Sequence, residues 1–268
     1  MTVIELSFKG KHDLFDRQRH NFLGAPFDGF NAEMVIDLLR KSPADLPFRY
    51  IVTPNVDHVV RLKADGGLLR YYRAAWMSLC DSKPIQGLAG LLRLRLPLVT
   101  GSDLTVSLFQ SVIQEGDAIA IIAATEHVVS DLRKAYPKLQ IKAFVPPMGV
   151  ASDPQAFEAC VDFAVDAHCR FLFLAIGAPQ SERIAYEVSR RAGATGIGLC
   201  IGASLEFLTG VKKRAPRWMR RLGLEWLHRL STDPKRLWRR YAYAVLPLLA
   251  LFSRENGRQP RRRASPRP

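Results

Sequence analysis

"DAIAIIAATEHVVSDLRKAYPKLQIKAFV", residues 117–145, decides the fold class. Its first eight residues form a short apolar run, and "IKAFV" (141–145) is another. Between them "EHVVSDLRKAYPKL" (126–139) sets apolar residues three and four apart, the spacing of a helix with one buried side. Working outward, "FRYIVT" (48–53), "AAWMSLC" (74–80), "CRFLFLAIG" (169–177) and "GIGLCIG" (196–202) are further short apolar runs bounded by turn formers, and "DPQAFEACVDFAVDAH" (153–168) is another helical pattern. Buried strands that alternate with amphipathic helices give an α/β fold, a mostly parallel sheet with helices on both faces. Ligands of such sheets bind beyond the carboxyl ends of the strands, so the chemistry is sought there.

A chain of 268 residues, 48% hydrophobic, can bury a sizeable core. The cysteines (Cys80, Cys160, Cys169, Cys200) show no CxxC spacing and no histidine cluster accompanies them, which argues against a zinc site or a disulfide framework and for a reducing compartment. "MTVIELSFKGKHDLFDRQRH" has no apolar run of signal-peptide length, and the expectation is a protein that stays inside the cell. The net charge of +14 is unevenly placed. Seventeen of the 39 Lys and Arg, but only three of the 25 acids, lie in 212–268, leaving 22 of each sign before them. That asymmetry marks a basic contact surface set apart from the sheet.

Four strand ends carry polar clusters. In "TPNVDHVV" Thr53 stands where a helix cap belongs, Pro54 at the first helical position, and Asn55 and Asp57 in the opening turn. In "CDSKP" Asp81 closes an apolar run, either as another cap or as a carboxylate held beside a ligand. "LVTGSDLT" (98–105) offers Ser102 and Asp103 after a glycine, suited to a sugar or phosphate and equally to a turn. "AIGAPQSERIA" (175–185) puts Gly177 and Pro179 at a strand-to-helix junction, where backbone N–H groups can receive a diphosphate. The glycines of "GIGLCIGASLEF" (196–207) lack GxGxxG spacing and signify close packing or a donor-site wall.

Taken in order, "TPNVDHV", "CDSKPI", "VTGSDL", "PPMG", "GAPQSE" and "FLTGVKKRAPRWMRRLGLEWLHRL…DPKRLWRRY" resemble the successive motifs of the WecG/TagA/CpsF glycosyltransferases, over roughly residues 20–241. The resemblance implies a Rossmann-like α/β domain (1–210), a basic amphipathic appendage that meets the membrane (211–252) and, beyond it, an Arg/Pro-rich tail (253–268) expected to be disordered. It implies inverting transfer of N-acetylmannosamine, its uronic acid or a related sugar from a UDP-sugar to a polyprenyl-diphosphate-linked saccharide, in synthesis of a surface polymer on the inner face of the cell membrane. No cofactor is implied.

By the same resemblance Asp81 is the base that takes the acceptor hydroxyl proton, and Thr53 and Asn55 orient sugar or acceptor hydroxyls. Ser102, Asp103, Gly177, Gln180, Ser181 and Glu182 fall in the motifs that would hold the donor, and Gly202 belongs to the stretch that could wall the donor site. Arg214, Arg217, Arg221 and Arg240 are candidates for a diphosphate. The sequence holds no Asp-x-Asp motif for a metal beside the donor diphosphate, so metal-independent transfer is expected, with glycine-bearing strand ends and arginines taking the developing charge. Three places depart from the family pattern. Leu98 replaces an arginine, with Arg95 three residues earlier, Pro179-Gln180-Ser181-Glu182 stands for Pro-Lys-Gln-Glu, and Ser82 stands where many members have glycine.

As a helix, residues 216–230 put Trp218, Met219, Leu222, Trp226 and Leu230 along one side, with Arg217, Arg220, Arg221 and His228 off it. Either that side packs on the protein's own core, or rings and cations together meet anionic headgroups; the continuation through Lys235, Arg236, Trp238, Arg239 and Arg240 favours the second. "YAYAVLPLLALF" (241–252), interrupted by Pro247, is too short to span a bilayer and can dip into its interface. Apolar surface of this kind also makes a homo-oligomer off the membrane an expectation. A nucleic-acid-binding protein would use the basic segment and leave Asp81 and the strand ends unemployed; a non-catalytic membrane scaffold would tolerate Asp81→Asn.

Overall fold

A computed structural model describes residues 19–212, 215, 216, 219, 225–232 and 234–258. All six apolar runs become strands of one parallel sheet: β3 (Arg49–Val52), β4 (Met77–Ser78), β5 (Ala118–Ala123), β6 (Gln140–Phe144), β7 (Phe171–Ala175) and β8 (Ile197–Cys200), in the order β4-β3-β8-β7-β5-β6. The crossover after β5 runs toward β6 and that after β7 toward β8, so the connections diverge between β5 and β7.

Alternate residues of each strand enter different cores. Ile119, Ile121, Phe171, Phe173, Ile197 and Leu199 pack with α1 (Ala32–Lys41), α5 (Gly101–Ser111) and α6 (Glu126–Ala135) through Val35, Leu39, Leu104, Leu108, Val129 and Leu132. Ala120, Ile122, Leu172 and Leu174 face the opposite layer, where α2 (Val56–Ala64), α3 (Leu69–Arg73), α4 (Lys83–Leu91), α7 (Pro154–Asp166) and α8 (Gln180–Val188) bury Val59, Leu62, Tyr71, Tyr72, Ile85, Cys160 and Ile184. This period of two on a sheet buried on both faces makes the strands read as nearly continuous apolar runs.

A hairpin of β1 (Arg19–Phe22) and β2 (Ala25–Asp28) precedes the sheet. Buried Asp28 ties it to β4 by accepting the Ser78 N–H at 2.7 Å, while Arg19 Nε and Nη2 donate to the same carboxylate at 2.8 and 2.7 Å. Ser78 Oγ donates to Pro26 O at 2.6 Å, completing the cover over the short β4 edge.

Two of the glycines in "GIGLCIG" are there for packing. A Cβ on Gly196, whose φ is +92°, would lie 2.3 Å from Cys169 O, and one on Gly198 would lie 2.6 Å from Phe48 Cζ. Gly202 has open space around its Cα. Gly196→Ala therefore combines a left-handed backbone with a collision against fixed backbone, and its expected cost is about 3 kcal/mol or more, measured as a lowered denaturant midpoint.

The carboxyl-terminal helices are α10 (Glu225–Thr232) and α11 (Pro234–Arg258); a short α9 (Ser204–Leu208) follows β8. Met219 is helical, whereas Trp218 and Leu222 lie outside the described residues, as do the side chains of Trp226 and Trp238. α11 corrects one expectation: it continues through Pro247 to Arg258, so residues 253–258, expected to be disordered, are helical. The same helix is joined to the sheet domain. α11 packs along α2, and Leu251 joins the core that holds Val59 and Leu62, with Leu248 and Phe252 beside it. Positions 248, 251 and 252 share one helical side; Leu246 and Leu249 turn away from it and are 74 and 53% exposed, and Val245, at the boundary beside position 252, is 52% exposed. Among the described residues no helix is long and apolar enough to cross a membrane.

Candidate active site

The chain leaves β3 and β4 still paired. Leu79 N–H donates to Val52 O at 2.9 Å and Asp81 N–H to Pro54 O at 3.1 Å, and the Cys80–Leu98 bridge adds a further extended segment beside them. This prolonged pairing holds residues 53–54 extended, so α2 starts at Val56, later than its sequence suggests, and Asn55 rather than Thr53 is its cap. Arg95 is exposed, just before that bridge.

Asp81 is half-buried at the end of β4. It does not cap α4, because Ser82 does so through Ile85 N. Asp81 Oδ2 instead accepts the N–H of Gly101 at 3.3 Å, at the first residue of α5, where the positive end of that helix faces the carboxylate. Thr53 lies across the same point: its Oγ1 donates to Cys200 O at 3.3 Å, and a Cβ added to Gly101 would come within 3.2 Å of Thr53 Oγ1 and 3.3 Å of Ser204 Oγ. Ser204 Oγ donates to Ile201 O at 2.6 Å, so Ser102 is the donor in the 3.3 Å pair between the two serine hydroxyls. Thr53, Asp81, Gly101, Ser102 and Ser204 thus meet at the carboxyl ends of β3, β4 and β8.

Asn55 sits at the same edge, and its side-chain oxygen accepts Asp57 N–H at 3.0 Å. His58 completes the capping box, Nδ1 accepting Asn55 N–H at 3.0 Å. Its Nε2 lies 3.9 Å from Glu182 Oε1, on the first turn of α8. Glu182 is 3% exposed, and its Oε2 has no hydrogen-bond partner. Burial pushes its carboxyl up to about 7, against the pull of its own backbone N–H and of Arg61.

This shift fixes the sign of a pH effect. Between about 4.5 and 7 the folded protein holds a proton on Glu182 that the unfolded chain has lost, so this carboxyl's contribution to stability is full below about 4.5 and is lost as pH rises toward 7. The loss attributable to this carboxyl is about 3 kcal/mol. In Glu182→Gln that slope should be absent, which denaturant unfolding at pH 5 and pH 8 measures.

The remaining sequence candidates fall into three groups. Gly177 and Gln180 flank the cis Ala178–Pro179 bond after β7, and Gly202 follows β8, all partly exposed at the carboxyl edge. Ser181 and Glu182 are buried behind that edge, with Ser181 Oγ donating to Leu174 O at 3.3 Å, and Asp103 accepts from Thr100 Oγ1 at 2.6 Å within the cap of α5. Arg214, Arg217 and Arg221 lie outside the described residues; Arg240 is in α11, its side chain outside them. Sequence reasoning missed His58, Gly101 and Ser204. His58 had a legible signal, a polar side chain three residues after a cap, although capping boxes favour Glu or Gln there. Among the described residues no group of three or more His, Cys, Asp and Glu side chains could hold a metal ion.

Relatives place this edge in context. A Bacillus spizizenii protein named N-acetylglucosaminyldiphosphoundecaprenol N-acetyl-beta-D-mannosaminyltransferase is 27% identical over 158 residues, 55% of this chain and 59% of the relative. A Bacillus subtilis protein of the same name is 31% identical over 125 residues, 44% and 46% of the two lengths. The chain thus spans about half the length of these curated relatives. The family match is far longer, from the β1–β2 hairpin through α11, and with residues 20–262 covered the chain belongs to the glycosyl transferase WecG/TagA/CpsF family.

Proposed function

We propose that this chain transfers a sugar from a UDP-sugar to a polyprenyl-diphosphate-linked saccharide, with inversion and without a metal ion. The observation that carries the reading is the approach of Asp81 and Thr53 to Gly101 at the carboxyl ends of β3, β4 and β8 in a chain of this family. Both relatives' names specify an N-acetyl-D-mannosaminyl group and a diphosphoundecaprenol-linked N-acetylglucosamine, which makes UDP-N-acetylmannosamine and that acceptor the first pair to test. In a direct displacement Asp81 removes the acceptor hydroxyl proton as the oxygen attacks the anomeric carbon, and UDP leaves from the opposite face. Thr53 and Asn55 orient the reacting groups. The junctions at Gly177–Gln180 and Gly202 receive the diphosphate, whose charge is met by backbone N–H groups and by the arginines of the carboxyl-terminal segment.

The acceptor is lipid-linked, so the site must be brought to a bilayer. α11 supports this placement: one side docks on the core, while Val245, Leu246 and Leu249 stay exposed on a chain whose net positive charge lies in the same region. The protein binds the inner leaflet peripherally, basic residues toward phosphates and the apolar side in the interface. Each basic residue near an anionic leaflet adds about 1 kcal/mol, so a fraction of them suffices for reversible attachment.

The donor half of this reading is tested by adding UDP in EDTA to isotopically labelled protein. Amide shifts are expected at Gly101, Gly177, Gln180 and Gly202. Shifts confined to residues away from the carboxyl edge, or appearing only after a divalent ion is added, would reject metal-free donor binding there.

A further inference from the structure

We propose that Glu182 and His58 form a positioning pair, Glu182 holding His58 in the tautomer that caps Asn55 and so setting the Thr53–Asn55 turn at the mouth of the site. This deepens the function proposed above and rests on it for its catalytic consequence.

His58 Nδ1 accepts the Asn55 N–H at 3.0 Å, so in the neutral ring the proton is on Nε2. Nε2 is the atom that faces Glu182 Oε1, at 3.9 Å. That separation is longer than a hydrogen bond, and a movement of about 1 Å closes it. A second proton on Nδ1 would meet the Asn55 N–H head-on and break the cap. Oε1 can accept from Nε2 whether the carboxyl is ionised or carries its proton on Oε2, and an acceptor there selects the ring state that the cap needs, as second-layer carboxyl groups orient histidines in other sites. Glu182 is suited to that task and not to donor contact, because it is 3% exposed and Oε2 is buried without a partner. Its titratable neighbours are His58 and Arg61 from α2, Tyr72 from α3, Tyr50 from β3 and Cys200 from β8. Arg61 is already bonded to Asp57 Oδ2 at 2.9 Å and to Ala178 O at 3.3 Å, which fixes the start of α2 against the loop before α8.

The experiment compares wild type with Glu182→Ala, Glu182→Gln, His58→Ala, His58→Asn and the double variants. It reads hydrogen exchange at the Asn55 amide together with kcat and the KM for the UDP-sugar. Glu182→Ala and His58→Ala should each speed that exchange and lower kcat about 10-fold, the size expected when a contacting group is displaced by a fraction of an ångström, with donor KM little changed. The double alanine variant should be no worse than the poorer single variant. Asn at 58 sets an oxygen where Nδ1 was, so His58→Asn should restore both readings and make Glu182→Ala silent in its background. Additive losses, unchanged Asn55 exchange in Glu182→Ala, or a raised donor KM at constant kcat would overturn the pair. If wild type transfers no sugar, the functional reading has failed, while the exchange rates still decide the pair.

Discussion

Replacing Asp81 with Asn is expected to lower turnover by about 10²–10⁴-fold, the range for losing a positioned general base. Stability should change by less than about 1 kcal/mol. Two structural facts separate these outcomes. The Asn side-chain oxygen can still accept the Gly101 N–H, the bond that Asp81 Oδ2 makes at 3.3 Å. The cap of α4 belongs to Ser82 and does not depend on residue 81. What Asn lacks is the capacity to take a proton while the acceptor oxygen attacks. Donor KM should hold and kcat fall, with superimposable thermal melts; a melt displaced in step with activity would make Asp81 a structural residue.

The second large effect belongs to α11. Leu246→Glu with Leu249→Glu is expected to weaken binding to vesicles containing anionic lipid by about 100-fold and to reduce transfer to a lipid-linked acceptor with it. Each leucine buried in an interface contributes about 1.5–3 kcal/mol, and two partly buried ones about 3 kcal/mol together. Both side chains are more than half exposed, so the folded protein loses little. Changing Leu251 would have a different signature, because it lies in the core beside α2 and its loss should lower the melting temperature. Cosedimentation with vesicles, paired with melts, separates the two sides. The same packing sets what a truncation near Gly210 is expected to do. It strips a cover from α2, the helix that Asn55 caps, so the shortened chain should unfold more readily as well as lose the membrane.

Legibility in the sequence followed the physics of each element. The six strands of the parallel sheet were readable because burial on both faces leaves short, nearly continuous apolar runs, from "DAIAIIAA" to "GIGLCIG". The β1–β2 hairpin was not. Its turn is Leu23-Gly24, both at positive φ, without the Asn-Gly or Asp-Gly that normally announces such a turn, and Pro26 stands inside β2. Thr53 and Asp81 were legible as polar residues closing apolar runs, yet their meeting through Gly101 depends on a contact between segments 20 or more residues apart. Asn55 and Asp103 show why such residues are ambiguous, since the structure engages both in helix caps. His58 escaped notice because it answers to a cap at Asn55, where the sequence suggested Thr53, and the carboxyl that faces it, Glu182, is more than 100 residues away. The core-facing side of α11 was hidden for a related reason: Leu248 and Leu251 differ from Leu246 and Leu249 only in which way the helix turns them.

The measurement that bears most directly on the central claim is transfer from a panel of UDP-sugars, led by UDP-N-acetylmannosamine, to a short lipid-diphosphate N-acetylglucosamine, run in EDTA with wild type and Asp81→Asn side by side. The account predicts a disaccharide product of inverted anomeric configuration from wild type and a loss of at least about 100-fold in the variant. Equal rates from the two proteins, or product only when a divalent ion replaces EDTA, would contradict it.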